Sequence, residues 1–536
     1  MSAVGVPPVT AAPVPPPVAG PSRAARLALR VVQAGSIAVV LAVSTHKVFD
    51  LDRFFVPKEL VLHLTALLAG LLAVRAFRRV TVSWLDLALI LYLTASAVSV
   101  LLSTNPWLGI RALAVSASGI ALFWVGRTLR GAGLARPLLN ALAFAVVLAA
   151  VTSLLQAYGV RLDVFAINRA PGGTLGNRNF IAHAAAFGFP VVLLAALHAR
   201  RFLYASTGVM LVTASLVLTR SRAAWLAFGF MAIVFLVGML FSRPLRRDGR
   251  TWRRLGAILL LIGAGVAAAL LVPNTLRWRS DNPYMDTVRD VANYQEGSGR
   301  GRLIQYEQSL KMAAAHPILG VGPGNWSVRY PEHAARRDPS LDPSEGGMTY
   351  NPWPSSDWVA FVSERGAFAF LALAVVFVAL AFGGFHRLVR AADVDEALLA
   401  VTLLATLVAA AVAGAFDAVL LLALPTLFVW TTLGALWTPA SVSVMPARTL
   451  LFLSVLAVAA LGAFRSGSQL VAMELQATRG DREALRDAAR IDPGSYRAHL
   501  RLARSGKRQE RCEHALKAKA LFPNADAARS VARGCD

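Results

Sequence analysis

Cysteine is nearly absent from this chain. The two present, Cys512 and Cys535, both lie in the last segment, too few for a disulfide scaffold or a cysteine-based metal site. They can pair if that segment faces an oxidising compartment, and free thiols are the equal alternative. Charge is scarce as well. Of 536 residues 16% are charged and 56% hydrophobic, a balance a water-soluble protein can hardly arrange with its apolar residues inside. Acidic residues are the rarer sign, 30 against 54 Lys and Arg, leaving a net charge of +24. Such an excess on one exposed surface would indicate nucleic acid. Here the arginines fall in short clusters between apolar stretches, a pattern that membrane topology explains, so no nucleic-acid partner is expected.

What the chain has in quantity is apolar sequence in runs near the roughly 20 residues that cross a hydrocarbon core. Such runs lie near 28-45, 59-75, 84-102, 107-126, 137-156, 180-198, 203-219, 223-241, 255-272, 358-382, 397-415, 419-437 and 448-466. In lipid they must be helical, because no water is available to unpaired backbone groups. The expected fold is therefore an all-α polytopic membrane helix bundle of 12 to 13 spans. Residues 1-26, with Val6-Pro7-Pro8 and Val14-Pro15-Pro16-Pro17, read as a disordered leader. The apolar run after Arg23, Arg26 and Arg30 lacks a convincing small-residue cleavage site and reads as the first span of a membrane domain covering 27-468.

Counting from a cytoplasmic N-terminus, the even connections hold Arg75/Arg78/Arg79, Arg127/Arg130/Arg136, Arg200/Arg201, Arg243 to Arg254, and Arg387/Arg390. These should be the inner loops, which puts the polar stretch 273-356 outside. A thirteenth helix would place the tail outside too. That step hangs on the segments either side of Asp417, which are nearly continuous. In the tail, 469-536, Ala489-Arg490-Ile491-Asp492-Pro493 is echoed by Lys519-Ala520-Leu521-Phe522-Pro523. The echo reads as a tetratricopeptide-type helical repeat, with an unrelated amphipathic helix pair as the alternative. Such repeats offer a surface to a protein partner.

Polar constellations mark the outer ends of the helices. Gly172-Gly173-Thr174-Leu175-Gly176-Asn177-Arg178-Asn179-Phe180 leads into a helix carrying His183. Its backbone N–H groups at a helix N-terminus suit anions, and a capped interhelical turn is the plainer role. Thr219-Arg220-Ser221-Arg222 sets two arginines in a short outer turn. Topology does not account for them, whereas the planar guanidinium fork suits phosphate; snorkelling to the headgroups is the alternative. The outer loop holds Gly299-Arg300-Gly301-Arg302, then His316-Pro317 through Gly320, Gly322 and Gly324 to Trp326. This Gly-rich run completes neither the dinucleotide nor the P-loop pattern, and His316 reads as a turn residue. The loop ends at Pro354-Ser355-Ser356-Asp357, where a serine can cap the next helix and Asp357 sits at its positive end. Glu364-Arg365-Gly366 follows about two turns on, where Glu364 is either catalytic or paired with an arginine.

Taken in order, Pro57-Lys58, Gly173 to Phe180, Ser221-Arg222, His316-Pro317 to Gly324 and Glu364-Arg365-Gly366 resemble the O-antigen ligase/polymerase family across roughly residues 45-440. The resemblance implies a metal-independent, cofactor-free inverting glycosyltransferase of the membrane C type. It would pass a glycan from an undecaprenyl-diphosphate carrier to a hydroxyl of a glycan, lipid or protein acceptor, at the periplasmic face of a bacterial inner membrane. Arg222 matches the family's diphosphate-contacting arginine and Arg302 the arginine of the large loop, with Arg220 and Arg300 as neighbours and Asn177 and Asn179 in the glycine-rich turn.

The pattern departs at one place. Where the family carries His-Asn, this chain has Ser355-Ser356. A serine hydroxyl is a poor general base. Either Asp357 or Glu364 takes that task, or no base is needed, or the protein binds and assembles lipid-linked glycan without catalysis. A transporter fits less well, because its charges should gather at the midplane on broken helices, whereas these lie at boundaries.

Overall fold

The computed structural model describes residues 20–76, 83–166, 169–278, 280–290, 295, 297–438, 448–505 and 508–535. The leader up to residue 19, and Arg78 and Arg79 of the first basic cluster, lie outside them. Secondary structure among the described residues is almost entirely helical, and twelve helices are long and apolar enough to span a membrane.

The chain opens with α1 (Arg23–Leu41), α2 (Asp52–Ala76), α3 (Trp84–Leu101), α4 (Pro106–Gly131) and α5 (Ala135–Ala157). The first begins inside the stretch read as a leader, because the Ser22 hydroxyl caps it by accepting the Ala25 N–H at 3.2 Å. Next come α6 (Arg178–His198), α7 (Phe202–Thr219), α8 (Arg222–Phe241), the short α9 (Arg243–Arg247) and α10 (Gly249–Leu271). The large loop carries α11 (Pro283–Arg289), α12 (Gly297–Ala315) and α13 (Trp326–Arg329). The membrane part resumes with α14 (Asp357–Arg390), α15 (Val394–Phe416), α16 (Ala423–Leu436) and α17 (Arg448–Thr478). Four short helices finish the chain: α18 (Arg482–Ile491), α19 (Tyr496–Ser505), α20 (Arg508–Leu521) and α21 (Asp526–Ala532).

The two ends of the bundle differ chemically. At one end the basic clusters meet the few acids of the α14–α15 turn: Arg387 and Arg130 converge on Glu396, and Arg136 and His198 on Asp395. Arg130 and Arg387 also donate to the carbonyls of Ala435 and Leu436, so the short α16 ends there. The segment that leads into it meets Asp357 through Leu420, at the opposite end of the bundle. Although only 14 residues long, α16 therefore runs from one end to the other, with the buried segment before it covering the remaining depth. This crossing returns α17 to the end that carries the large loop.

Tail and loop accordingly lie at the same end. The Asn105 side chain donates to the Leu521 carbonyl at 3.3 Å, Asn524 to the Val328 carbonyl at 2.9 Å, and the Asp526 N–H to the Gly346 carbonyl at 2.8 Å. No break separates bundle from tail at residue 468, because α17 continues to Thr478.

Packing follows lipid exposure. Helix α6 is buried nearly all round, while α10 shows most of its surface, including Leu260 and Leu271. Exposed Leu203, Leu260, Phe382 and Phe464 give the bundle the apolar exterior that lipid requires.

Candidate functional site

The buried α6 starts at the loop end, and its N-terminus is where the polar residues gather. Asn177 caps the helix, its side-chain oxygen accepting the Asn179 N–H at 3.0 Å. Asn177 is buried and spends its side chain on this cap. Asn179 is half-buried, and its amide donates to Asp417 at 3.4 Å. Asp417 lies in the turn after α15, with Oδ1 accepting the Ala418 N–H at 2.9 Å. One turn into α6, His183 places Nδ1 3.9 Å from Asp417 Oδ2.

Arginines flank this point. Arg178, the first residue of α6, and Arg220 set their guanidinium carbons 5.0 and 4.7 Å from the Trp278 ring. Two cations thus share one indole in a cation–π arrangement. Arg220 adopts the left-handed conformation (φ 55), which non-glycine residues seldom do, and so turns the chain sharply between α7 and α8. Its Nε donates to Thr287 at 2.9 Å. Partial burial lowers the Arg220 pKa, opposed by Tyr284, Asp286 and Asp290, yet a guanidinium starts so high that it stays charged. Arg222 opens α8 and donates to the Asp290 carbonyl.

The loop arginines come from α12. Arg302 is half-buried and its charge acts on His183, whereas Arg300 is exposed. One turn after Arg302, the Tyr306 hydroxyl lies 2.6 Å from the Ser355 carbonyl and 3.0 Å from that of Ala415. That contact fastens α12 to both α14 and the Asp417 turn. Among the described residues, Arg178, Arg220, Arg300 and Arg302 make no salt bridge.

The two carboxylates singled out from the sequence are placed differently. Asp357 is fully buried, and its oxygens accept the N–H groups of Val419 and Leu420 at 2.9 and 2.8 Å. Glu364 is also buried, and accepts the N–H groups of Gly324 and Trp326 at 2.9 and 3.2 Å. Arg365 does not pair with it; the guanidinium lies against Tyr92 and Phe361 and donates to Ser96 at 3.1 Å. Ser356 caps α14 and donates to the Gly414 carbonyl at 3.2 Å. Both acids thus hold backbone turns, while Asp417 lies beside Asn179 and His183. Arg178, Trp278, His183 and Asp417 are the residues that sequence reading left out of the site. The signal was present, since an ionisable group inside or beside an apolar span is costly without a purpose.

A search of curated proteins finds no match to this chain. Residues 207–374 match the O-antigen ligase family. The matched stretch contains Arg220, Arg222, Arg300, Arg302, Asp357 and Glu364, and excludes Asn179, His183 and Asp417. With its spanning helices and that match, this chain is a multi-pass membrane protein whose residues 207–374 are similar to the O-antigen ligase family.

Proposed function

We propose that the protein transfers a glycan from an undecaprenyl-diphosphate carrier to an acceptor hydroxyl at the periplasmic face of the inner membrane. The observation that carries this reading is the gathering of Arg178, Arg220 and Arg302, which make no salt bridge among the described residues, near the start of α6, at the end of the bundle opposite the basic clusters. The positive-inside tendency makes the cluster-rich end cytoplasmic, which turns the arginine site and the tail outward.

A lipid diphosphate gains negative charge as its bond to the sugar breaks. Fixed guanidinium groups, already oriented and partly desolvated, stabilise that charge more than they stabilise the substrate. Arg222 and Arg302 grip the diphosphate, with Arg178 and Arg220 adding field from the Trp278 side. The Arg222 bond to the Asp290 carbonyl is exchanged for phosphate when donor enters.

The test is transfer in proteoliposomes, using an undecaprenyl-diphosphate oligosaccharide and hydroxyl acceptors that include lipid A-core. Arg222→Ala is expected to lower kcat/KM by about 100-fold, and Arg222→Lys to retain part of it. Equal activity of Arg222→Ala and wild type removes the arginine role. One observation favours a second reading: Asp357 and Glu364 are both engaged by backbone N–H groups, and serines stand at the family's histidine position. A non-catalytic glycan-lipid binding or assembly protein would bind the donor and give no product with any acceptor.

A further inference from the structure

We propose that Asp417, backed by His183, takes the proton of the acceptor hydroxyl in place of the missing histidine. The inference rests on the transferase reading above and assigns it a base. Three observations lead to it, and Asp417 itself lies beyond the family match, which ends at residue 374.

First, the carboxylate is available. Asp417 keeps 15% of its side chain exposed, and among the described residues Oδ2 has only the long 3.4 Å contact from Asn179 and the imidazole 3.9 Å away. Asp357 and Glu364 each hold two short backbone bonds. Second, His183 is 1% exposed, yet neither ring nitrogen makes a hydrogen bond among the described residues. Burying such a group without a partner is costly, and a site that retains the cost calls for a functional explanation. A small approach of the two side chains turns the 3.9 Å separation into an N–H···O bond that fixes which lone pair of Asp417 faces outward. Third, the turn is tied to the place where the base is missing. Ser356 donates to Gly414, and Tyr306 lies between the carbonyls of Ser355 and Ala415. These ties set the Asp417 turn next to Ser355-Ser356.

The step balances without any further reactant. The acceptor oxygen bonds to the anomeric carbon, and the bond from that carbon to the phosphate oxygen breaks. Its electron pair leaves with the lipid diphosphate, and the hydroxyl proton passes to Asp417. His183 is a positioning residue; Asp417 touches the acceptor.

The experiment uses the full chain in nanodiscs with an undecaprenyl-diphosphate oligosaccharide as donor and lipid A-core among the acceptors. Asp417→Asn should lower kcat by about 100-fold or more while donor affinity stays within about twofold. His183→Leu should lower kcat by about tenfold at unchanged donor KM, and His183→Asn, whose amide can still donate to Asp417, should recover most of that loss. If Asp417→Asn does not fold, Asp417→Ala with added formate replaces it, and restored transfer is expected. Asp417→Asn at wild-type kcat, or no rescue by formate, overturns the base and leaves the transferase reading standing. A wild type that binds donor and transfers to nothing overturns both.

Discussion

The Glu364 carboxylate and the Gly324 amide are joined across the end of the bundle, Oε2 accepting the N–H at 2.9 Å. The same two segments meet through the backbone as well, since the Glu364 carbonyl accepts the Gly322 N–H at 2.8 Å and the Ser363 carbonyl the Val321 N–H at 3.0 Å. Two motifs some forty residues apart in the chain are thus one clasp. It forms because α14 breaks at Gly366, whose left-handed backbone (φ 75) frees the Ala367 N–H for the Pro317 carbonyl.

Glu364→Gln leaves one acceptor oxygen for two N–H groups and turns an amide donor toward them. Stability should fall by about 1–3 kcal/mol. Gly366→Ala should cost more, since its Cβ would lie 2.1 Å from the Ile318 oxygen at a φ that side chains seldom adopt. Thermal unfolding in detergent measures both. A Glu364→Gln protein of wild-type stability that transfers no glycan would make Glu364 chemical rather than structural.

The helices were legible because lipid leaves the backbone one option, and Arg220 and Arg222 stood out against the topology of every other cluster. Asp357 and Glu364 were read as candidate chemistry since sequence shows a costly carboxylate and not the backbone N–H groups that meet it. The turns that supply those groups, at Val419 and Gly324, are distant in sequence. His183 lay hidden for the opposite reason: its environment is set by Asp417 and Arg302, one from each of two later segments. Asp417 itself was visible only as a break between two apolar runs.

Tail docking depends on Arg465 and Asp492, buried and 2.9 Å apart where α17 meets the turn after α18. Burial raises the Asp492 pKa and the Arg465 charge opposes that rise. Asp492→Asn strands a buried guanidinium, at a cost of about 3–5 kcal/mol. The tail helices should become open to protease while the spanning helices stay protected. Unchanged protection of the tail in Asp492→Asn would show that its polar contacts with Asn105 and Val328 suffice.

Cys512 and Cys535 are disulfide-bonded, tying α20 to the end of the chain across 23 residues. Closing a loop of that size stabilises the tail by about 3 kcal/mol in the chain-entropy account. Cys535→Ser should loosen α21, read as faster amide exchange at Ala528 and Ala532, with little change in α4 or α6. The wild-type chain isolated from membranes with alkylated thiols should show no free cysteine. Two alkylated cysteines would place the tail in a reducing compartment and reverse the proposed orientation.

Acid should release the tail before it affects the bundle. His499 donates through Nε2 to the Pro493 carbonyl at 3.0 Å, so in the neutral ring Nδ1 must accept, and His514 Nδ1 lies 2.9 Å away as the donor. Burial is the main cause that lowers the His499 pKa from 6.5 to about 4, and it lowers that of His514 as well. The unfolded tail therefore binds protons at a higher pH than the folded one. The stabilisation is complete above the unfolded value and is lost as pH falls from about 6.5 toward about 4, by no more than about 3 kcal/mol for His499. Protonation also sets two Nδ1–H groups against each other. Amide exchange in α19 and α20 should be faster at about pH 5 than at about pH 7.5 after correction for intrinsic rates, and His499→Gln should flatten that difference. Equal protection at the two pH values in the wild type would mean that the histidine pair carries no proton-linked stability.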